Sequence, residues 1–445
     1  MCAMRSVLDQ YLTIFEPDRI RPQLLALATF MRKGRLKKGE KRPVHYFQQD
    51  DERVILPRGL WPIVQRQWPM PVMDHRLRFT PRPFAWQGQL YPYQQPVVQA
   101  IAVRQGGTLV AMPGSGKTIM GLALAAYWQQ PTLWLVSTLE LRRVAEEKAR
   151  ILFNLPDEAF GFIGDGEGRM GTHLTIGMVQ TLTQSAYWME QLKLRIGTII
   201  IDEAHHSPSN SFQTIINHFP AAYRLGLSAT PNRTDGLGPM MVAILGPRVV
   251  LPKRLLLAQG RITIPTVYML GTTFQSRDPH WAAMEKSRAR DRTRNRLIMQ
   301  LILRGAQQGR KILVLVERRD HALLLAQALI AKRIRAKALI SNVGAAERNQ
   351  WWDWVEQGRA VVIATRLANE GLDLPHLDYL ILGASGRSPV RLEQQLGRGM
   401  RTASGKTGIE VYDLADWRIP AYALQARERL AFYEQEGYQI RYTVS

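Results

Sequence analysis

The apolar run Thr108-Leu109-Val110 passes directly into Ala111-Met112-Pro113-Gly114-Ser115-Gly116-Lys117-Thr118, and a helix-like stretch from Ile119 to Trp128 follows. This pattern predicts a buried strand that ends in a glycine-rich turn and restarts as a helix, the layout a phosphate-binding loop needs. Gly114 and Gly116 let the backbone curl until successive N–H groups point at one anion. The helix start adds partial positive charge, and Lys117 can reach the β- and γ-phosphates of a nucleotide. Thr118 offers a hydroxyl to Mg²⁺. Ala111 stands where the general pattern has glycine, so the spelling departs from the rule while its context is kept. The expected nucleotide contacts in this loop are Pro113, Gly114, Ser115, Gly116, Lys117 and Thr118.

At 445 residues the chain is too long for one ordinary core and suggests two to three domains. Its 46% hydrophobic and 22% charged residues are a globular composition, not a disordered one. Charge is the outlier: 59 Lys+Arg against 37 Asp+Glu leave a net +22. Such a surplus favours a polyanionic partner, and nucleic acid is the commonest. No apolar run approaches the ~20 residues that span a bilayer, and the basic residues are not gathered on one amphipathic helix, so no membrane partner is expected. The single cysteine, Cys2, excludes a disulfide framework or a cysteine-based zinc site within one chain. With no apolar leader in Met1 to Gln10, a reducing, intracellular (cytoplasmic) compartment is expected.

Three regions differ in texture. Residues 1–88 hold a basic knot from Arg32 to Arg42, a strand-like Arg53-Val54-Ile55-Leu56, and a proline-rich stretch from Trp61 to Pro83 read as extended linker. Residues 89–255 and 256–445 each alternate apolar strands with helical stretches, which argues for two parallel sheets covered by helices. Expected strands are Thr132–Ser137, His173–Met178, Thr198–Ile201 and Arg224–Ser228 in the first, with Lys311–Val316, Ala336–Ile340, Ala360–Ala364, Tyr379–Leu382 and Ile409–Leu414 in the second. One long arginine-rich helical stretch is expected from Met284 to Gln308.

The strand Ile199-Ile200-Ile201 delivers Asp202-Glu203-Ala204-His205 at its carboxyl end, the edge where ligands bind in open α/β sheets. Asp202 suits Mg²⁺, directly or through water, and Glu203 can polarise an attacking water. At this point the chain resembles the superfamily 2 helicases. Leu90-Tyr91-Pro92-Tyr93-Gln94 is similar to the family's segment before the loop, whose glutamine reads adenine; Tyr91 replaces the usual basic residue. Leu135 to Leu141, Ile176 to Leu182, Ser228-Ala229-Thr230, Leu313 to Arg319, Thr365 to Pro375 and Gln394 to Arg401 resemble the remaining blocks in order.

The resemblance implies two tandem RecA-like domains behind a small basic accessory domain, with ATP and Mg²⁺ at the first. It further implies nucleotide contacts from Gln94, Gly371, Asp373 and Gln394, and arginine fingers from Arg398 and Arg401. Such fingers are worth roughly 10³–10⁵ in rate in other NTPases. Strand contacts would come from Thr138, Gln180, Thr181 and Thr365, with Arg142, Arg318 and Arg366 nearby.

Leu225 to Leu237 and Asp291-Arg292-Thr293-Arg294-Asn295 are similar to the XPB, phage UvsW and restriction-enzyme motor branch, whose members act on DNA and move 3′ to 5′. The expected partner is therefore single-stranded, duplex or branched DNA. RNA as substrate and a nucleotide-switched clamp without turnover stay open. His205-His206 lacks the spaced partners a zinc site needs. Trp61, Trp68, Trp86 and the Trp351-Trp352/Trp354 group read as packing residues rather than base-stacking platforms.

Overall fold

The apolar runs build two largely parallel sheets, each within one of two units, Met1–Leu255 and Leu256–Ser445. The computed structural model describes residues 4–32, 43–229, 236–278, 280–340, 343–365, 374, 376–384, 392, 396, 399–400, 402, 406 and 408–444. The fold is mixed α/β, with a small sheet at the N-terminus followed by two larger, mainly parallel sheets.

That small sheet is built from β1 (Arg5–Leu8), β2 (Tyr11–Phe15), β5 (Gln48–Gln49), β6 (Arg53–Pro57) and β7 (Val72–Asp74), in the order β5-β6-β2-β1-β7. A separate pair, β3 (Thr29–Met31) and β4 (Pro43–His45), flanks the basic knot, of which residues 33–42 lie outside the described residues. The stretch read as linker contains a helix, Trp61–Gln67, with Pro62 in its first turn. Proline is harmless there because the first-turn N–H groups have no intrahelical partner. Apolar residues run without a break from this sheet into the layer that follows. Leu8, Leu12 and Leu56 share one buried cluster with Ile215, Phe219 and Leu245. Trp61 and Trp68 pack against it, and Trp86 lies against the Phe153 ring.

The first layer contains β8 (Gly106–Val110), β9 (Thr132–Val136), β10 (Phe160–Gly164), β11 (Glu167–Arg169), β12 (Leu174–Met178), β13 (Thr198–Ile201), β14 (Tyr223–Ser228) and β15 (Arg248–Val250). Their order is β11-β10-β12-β9-β13-β14-β8-β15, and only the β10–β11 pair is antiparallel. Every residue of β9 and β13 is buried, as expected of strands covered by helices on both faces.

The second unit contains β16 (Thr266–Gly271), β17 (Ile312–Leu315), β18 (Ala336–Leu339), β19 (Val361–Ala364), β20 (Tyr379–Leu382), β21 (Glu410–Ala415) and β22 (Gln439–Val444), ordered β18-β19-β17-β20-β21-β16-β22 and all parallel. The single helix expected from 284 to 308 is two helices, Trp281–Arg290 and Arg292–Gln307. Asp291 breaks the run: its backbone is extended, and its carboxylate accepts from Arg294 N–H at 2.7 Å as an N-cap. Arg294 then donates to Asp416 at 2.9 Å and to the Gly383 carbonyl, tying the helix to the sheet.

Behind Asn295 sits His321, 2% exposed, its Nε2 2.8 Å from Asn295 Oδ1. The Asn295 amide nitrogen already donates to the Ala289 carbonyl, so its oxygen faces the ring and Nε2 carries the proton. Burial, reinforced by Arg294 and Arg288, pushes the His321 pKa down to about 3. The unfolded chain protonates this histidine near 6.5 and so takes up the proton first as pH falls. Stability should therefore decline below about pH 6.5, by up to ~1.4 kcal/mol per pH unit from this group, until pH nears 3. Urea unfolding between pH 7.5 and 4.5 checks this: His321→Gln should flatten the slope, and an unchanged pH profile would refute the assignment.

Candidate active site

The parallel register aligns the carboxyl ends of four strands. Val110 of β8 pairs with Ser228 of β14, Ile201 of β13 pairs with Gly226 of β14, and Ile201 also pairs with Leu135 of β9. The ladder continues past the strand ends, with Ala111 N–H donating to the Ser228 carbonyl and Asp202 N–H to the Leu135 carbonyl, both at 3.0 Å. The glycine loop, the paired carboxylates and Ser228-Ala229 are thus brought to one edge. Thr230 lies outside the described residues.

The loop has the backbone its sequence predicts. Gly114 and Gly116 take φ of +86° and +83°, and Lys117 opens the helix Lys117–Trp128 with Thr118 behind it. Lys117 Nζ lies 3.0 Å from the Ala111 carbonyl, folded across the loop. Ser115 is fully buried and its hydroxyl has no hydrogen-bond partner. An orphaned hydroxyl in a loop of inward-turned glycines is what a bound phosphate oxygen would satisfy, so these residues fit a nucleotide.

Gln94 is almost fully buried and braces the loop from behind. Its amide nitrogen donates to the Ser115 carbonyl at 2.8 Å, and its oxygen accepts from Tyr91 N–H at 2.9 Å. The structure therefore engages the glutamine expected to read adenine with the loop itself.

Asp202 is buried, while Glu203 is partly exposed and holds a left-handed backbone, φ +51° and ψ +53°. A non-glycine residue there is strained by roughly 1–3 kcal/mol, a pattern that gathers at functional sites. The turn ends β13 abruptly, and Glu203 N–H donates to the Asp202 carboxylate at 3.0 Å. Glu203 Oε2 lies 3.2 Å from His205 Nδ1. Burial, followed by the charge of Glu203, raises the Asp202 pKa to about 6, against the pull of Lys117 and Lys148. Lys148 had no signal in the sequence beyond being one charge on an amphipathic helix.

Two adjacent carboxylates on a buried edge would be relieved by a cation. Among the described residues no group of three or more His, Cys, Asp or Glu could hold a metal alone. Mg²⁺ binds one or two protein groups plus phosphate oxygens and water, and Asp202 and the Thr118 hydroxyl are the residues that would hold it.

Of the expected strand contacts, Thr138, Gln180 and Thr181 cluster beside this edge. Thr138 caps the helix Leu139–Leu152 through Leu141 N–H, and Gln180 Nε2 donates to the Ser137 carbonyl at 2.9 Å. Arg142 is engaged locally: it pairs with Glu146 and Glu167 and lies 3.5 Å from the Phe162 ring centroid. Arg318 forks onto Asp320 at 2.8 and 3.0 Å, and Thr365 is buried at the end of β19. Arg366, Gly371, Asp373, Gln394, Arg398 and Arg401 lie outside the described residues.

Residues 87–233 match the family described as type III restriction enzyme, res subunit, and residues 293–403 match the helicase conserved C-terminal domain. A protein of Escherichia phage T5 named as a probable helicase is 26% identical over 74% of this chain and 71% of its own length. A protein of Acanthamoeba polyphaga mimivirus provisionally named an ATP-dependent RNA helicase is 27% identical over 80% and 69%. The DNA 3′-5′ helicase XPB of Kineococcus radiotolerans is 28% identical over 79% and 64%. In fold, the chain is similar to the helicase domain of Hef from Pyrococcus furiosus, with a TM-score of 0.52 at 17% identity over 75% of this chain and 96% of that one.

The chain is a superfamily 2 helicase, an ATP-hydrolysing enzyme. Its matches to the res-subunit family and to XPB helicases are consistent with the branch that holds the XPB helicases and the restriction-enzyme motors.

Gly116→Ala tests the loop geometry. A Cβ there would lie 2.5 Å from Gln94 Nε2, on a backbone φ that L side chains avoid. ATP binding by the full chain should weaken by about tenfold or more, in line with 1–3 kcal/mol of strain. Circular dichroism should stay unchanged, and unaltered affinity would contradict this geometry.

Proposed function

We propose that the chain is an ATP-driven DNA helicase or translocase that moves 3′ to 5′ and remodels branched or duplex DNA. The observation that carries this reading is the alignment of the glycine loop and Asp202-Glu203 on one sheet edge, with Thr138 and Gln180 beside them. The basic surplus of +22 and the named activity of the XPB relative favour DNA as the track. No helix among the described residues is long and apolar enough to cross a membrane.

In this reading the loop N–H groups and Lys117 bind the phosphates, and Ser115 supplies its free hydroxyl to one of their oxygens. Mg²⁺ held by Thr118 and Asp202 would neutralise charge on the β- and γ-oxygens. Glu203, fixed by its turn and by His205, orients the attacking water and accepts its proton. Arg398 and Arg401 are assigned to the charge that develops on the γ-phosphate, and Gly371, Asp373 and Gln394 to nucleotide contact. Thr138, Gln180, Thr181 and Thr365 hold the sugar-phosphate backbone of the tracked strand. Arg142 and Arg318 would have to leave their carboxylate partners to do so.

Glu203→Gln should lower DNA-stimulated kcat by about 10²–10⁴ while nucleotide binding persists, because only proton acceptance is removed. Unchanged turnover would displace Glu203 from this role. The mimivirus relative, named for RNA, supplies a second reading in which the track is RNA. ATPase rates with single-stranded DNA, forked DNA and RNA decide between them: stimulation by forks and 3′-tailed duplexes is expected, and stimulation by RNA alone would overturn the DNA assignment.

A further inference from the structure

A large cavity of the first unit lies at the opposite edge of its sheet from the glycine loop. It has a volume of about 1060 Å³, and Gly106, the first residue of β8, is in its wall. The five residues of β8 separate it from the loop by roughly 16 Å of strand.

Five arginines line this cavity, Arg58, Arg66, Arg76, Arg104 and Arg224, and no aspartate or glutamate does. Arg76 is satisfied by Asp74 at 2.7 Å. Arg58 and Arg224 are buried, at 7% and 3% exposure, yet neither has a carboxylate within ion-pair distance among the described residues. Arg58 donates to main-chain carbonyls, those of Asp9 at 2.9 Å, Ala221 at 2.7 Å and Ala222 at 3.5 Å. Arg224 donates through Nη2 to the carbonyls of Gln10, Ile216 and Phe219, while its Nε and Nη1 are buried with no hydrogen-bond partner. Arg66 and Arg104 are exposed at the rim.

Two adjacent buried guanidiniums whose nearest acids, Asp9 and Asp74, act on them only from beyond ion-pair distance are costly, and a chain needing only packing would place apolar side chains there. Burial holds both below the ordinary arginine range, Arg224 at about 10, and each opposes the charge of its neighbours. An anion entering the cavity would remove that cost and satisfy the free N–H groups with charge-assisted hydrogen bonds. The rest of the wall joins apolar Trp61, Ile63, Val242 and Ile244 to the amides of Gln65, Gln67 and Gln105. The volume, at the upper end of the usual range for small-ligand sites, exceeds what a bare anion fills.

We propose that this cavity is a second ligand site for a nucleotide-like organic phosphate, whose anionic group meets Arg58 and Arg224 and whose body lies against Trp61 and Ile63. The site is separate from the fuel site and depends on no part of the motor reading.

ADP binding to the full chain, followed by titration calorimetry, tests it. The unaltered chain should bind two ADP, and Lys117→Ala should lose the loop site and keep the other. In that background, Arg66→Glu with Arg104→Glu should weaken the remaining site by about tenfold or more through charge reversal at its rim. The same rim pair in the otherwise unaltered chain should leave one ADP bound at the loop, showing that the unit still folds. A single ADP abolished by Lys117→Ala would overturn the proposal, as would residual binding indifferent to the rim pair. A short oligothymidylate provides the last arm: if it loses affinity with the rim variant while ADP never binds there, the cavity is a nucleic-acid contact and the proposal fails.

Discussion

The hydrogen-bond ladder between β14 and its two neighbours is what the rest of this structure depends on. β14 carries no expected nucleotide contact within its own length, yet it sets the spacing between the glycine loop on β8 and the carboxylates after β13. Ala111 N–H on the Ser228 carbonyl and Asp202 N–H on the Leu135 carbonyl fix both loops where they leave the sheet. A register slip of one residue would turn the loop and the acids to different faces. Full burial of β9 and β13 makes such a slip expensive, so packing and catalysis are secured by the same strands.

Charge is handled differently at the two edges of that sheet. At the carboxyl edge Asp202 is buried beside Glu203, and the excess negative charge suits a cation and the positive loop. At the amino edge Arg58 and Arg224 are buried with no direct carboxylate partner, Asp9 and Asp74 offset them only in part, and the excess is positive. In both places charge of one sign is in excess where solvent is scarce, the condition under which a ligand of opposite sign is held most firmly. One layer thus presents complementary fields at its two ends.

Sequence legibility followed the strength of local signals. Thr198–Ile201 and Tyr379–Leu382 match the structure to the residue because each is a short apolar run bounded by polar residues or loops. Phe160–Gly164 went unread because its two glycines break the strand signature, although its partner β12 buries it fully. The helix Trp61–Gln67 was hidden by its own prolines, and the break at Asp291 by the strong helical character on either side. At the site, the loop and the acids are contiguous motifs and so could be read directly. The bracing by Gln94 and the proximity of Lys148 are long-range, and no periodicity encodes them. Arg58 and Arg224 carried no warning because a lone arginine in a strand or turn is most often a solvated charge.

The glutamine brace bears on which base this enzyme accepts. Gln94 has one amide, and both of its ends are already in use, on the Ser115 carbonyl and on Tyr91 N–H. Its second amide N–H and the second lone pair of its oxygen are left for a base, so the brace orients the side chain without using it up. A side chain already held in place loses little further freedom when it meets a base. The brace also makes the loop's shape and the orientation of Gln94 one unit, so a change at this residue would reach the phosphate loop as well as the base.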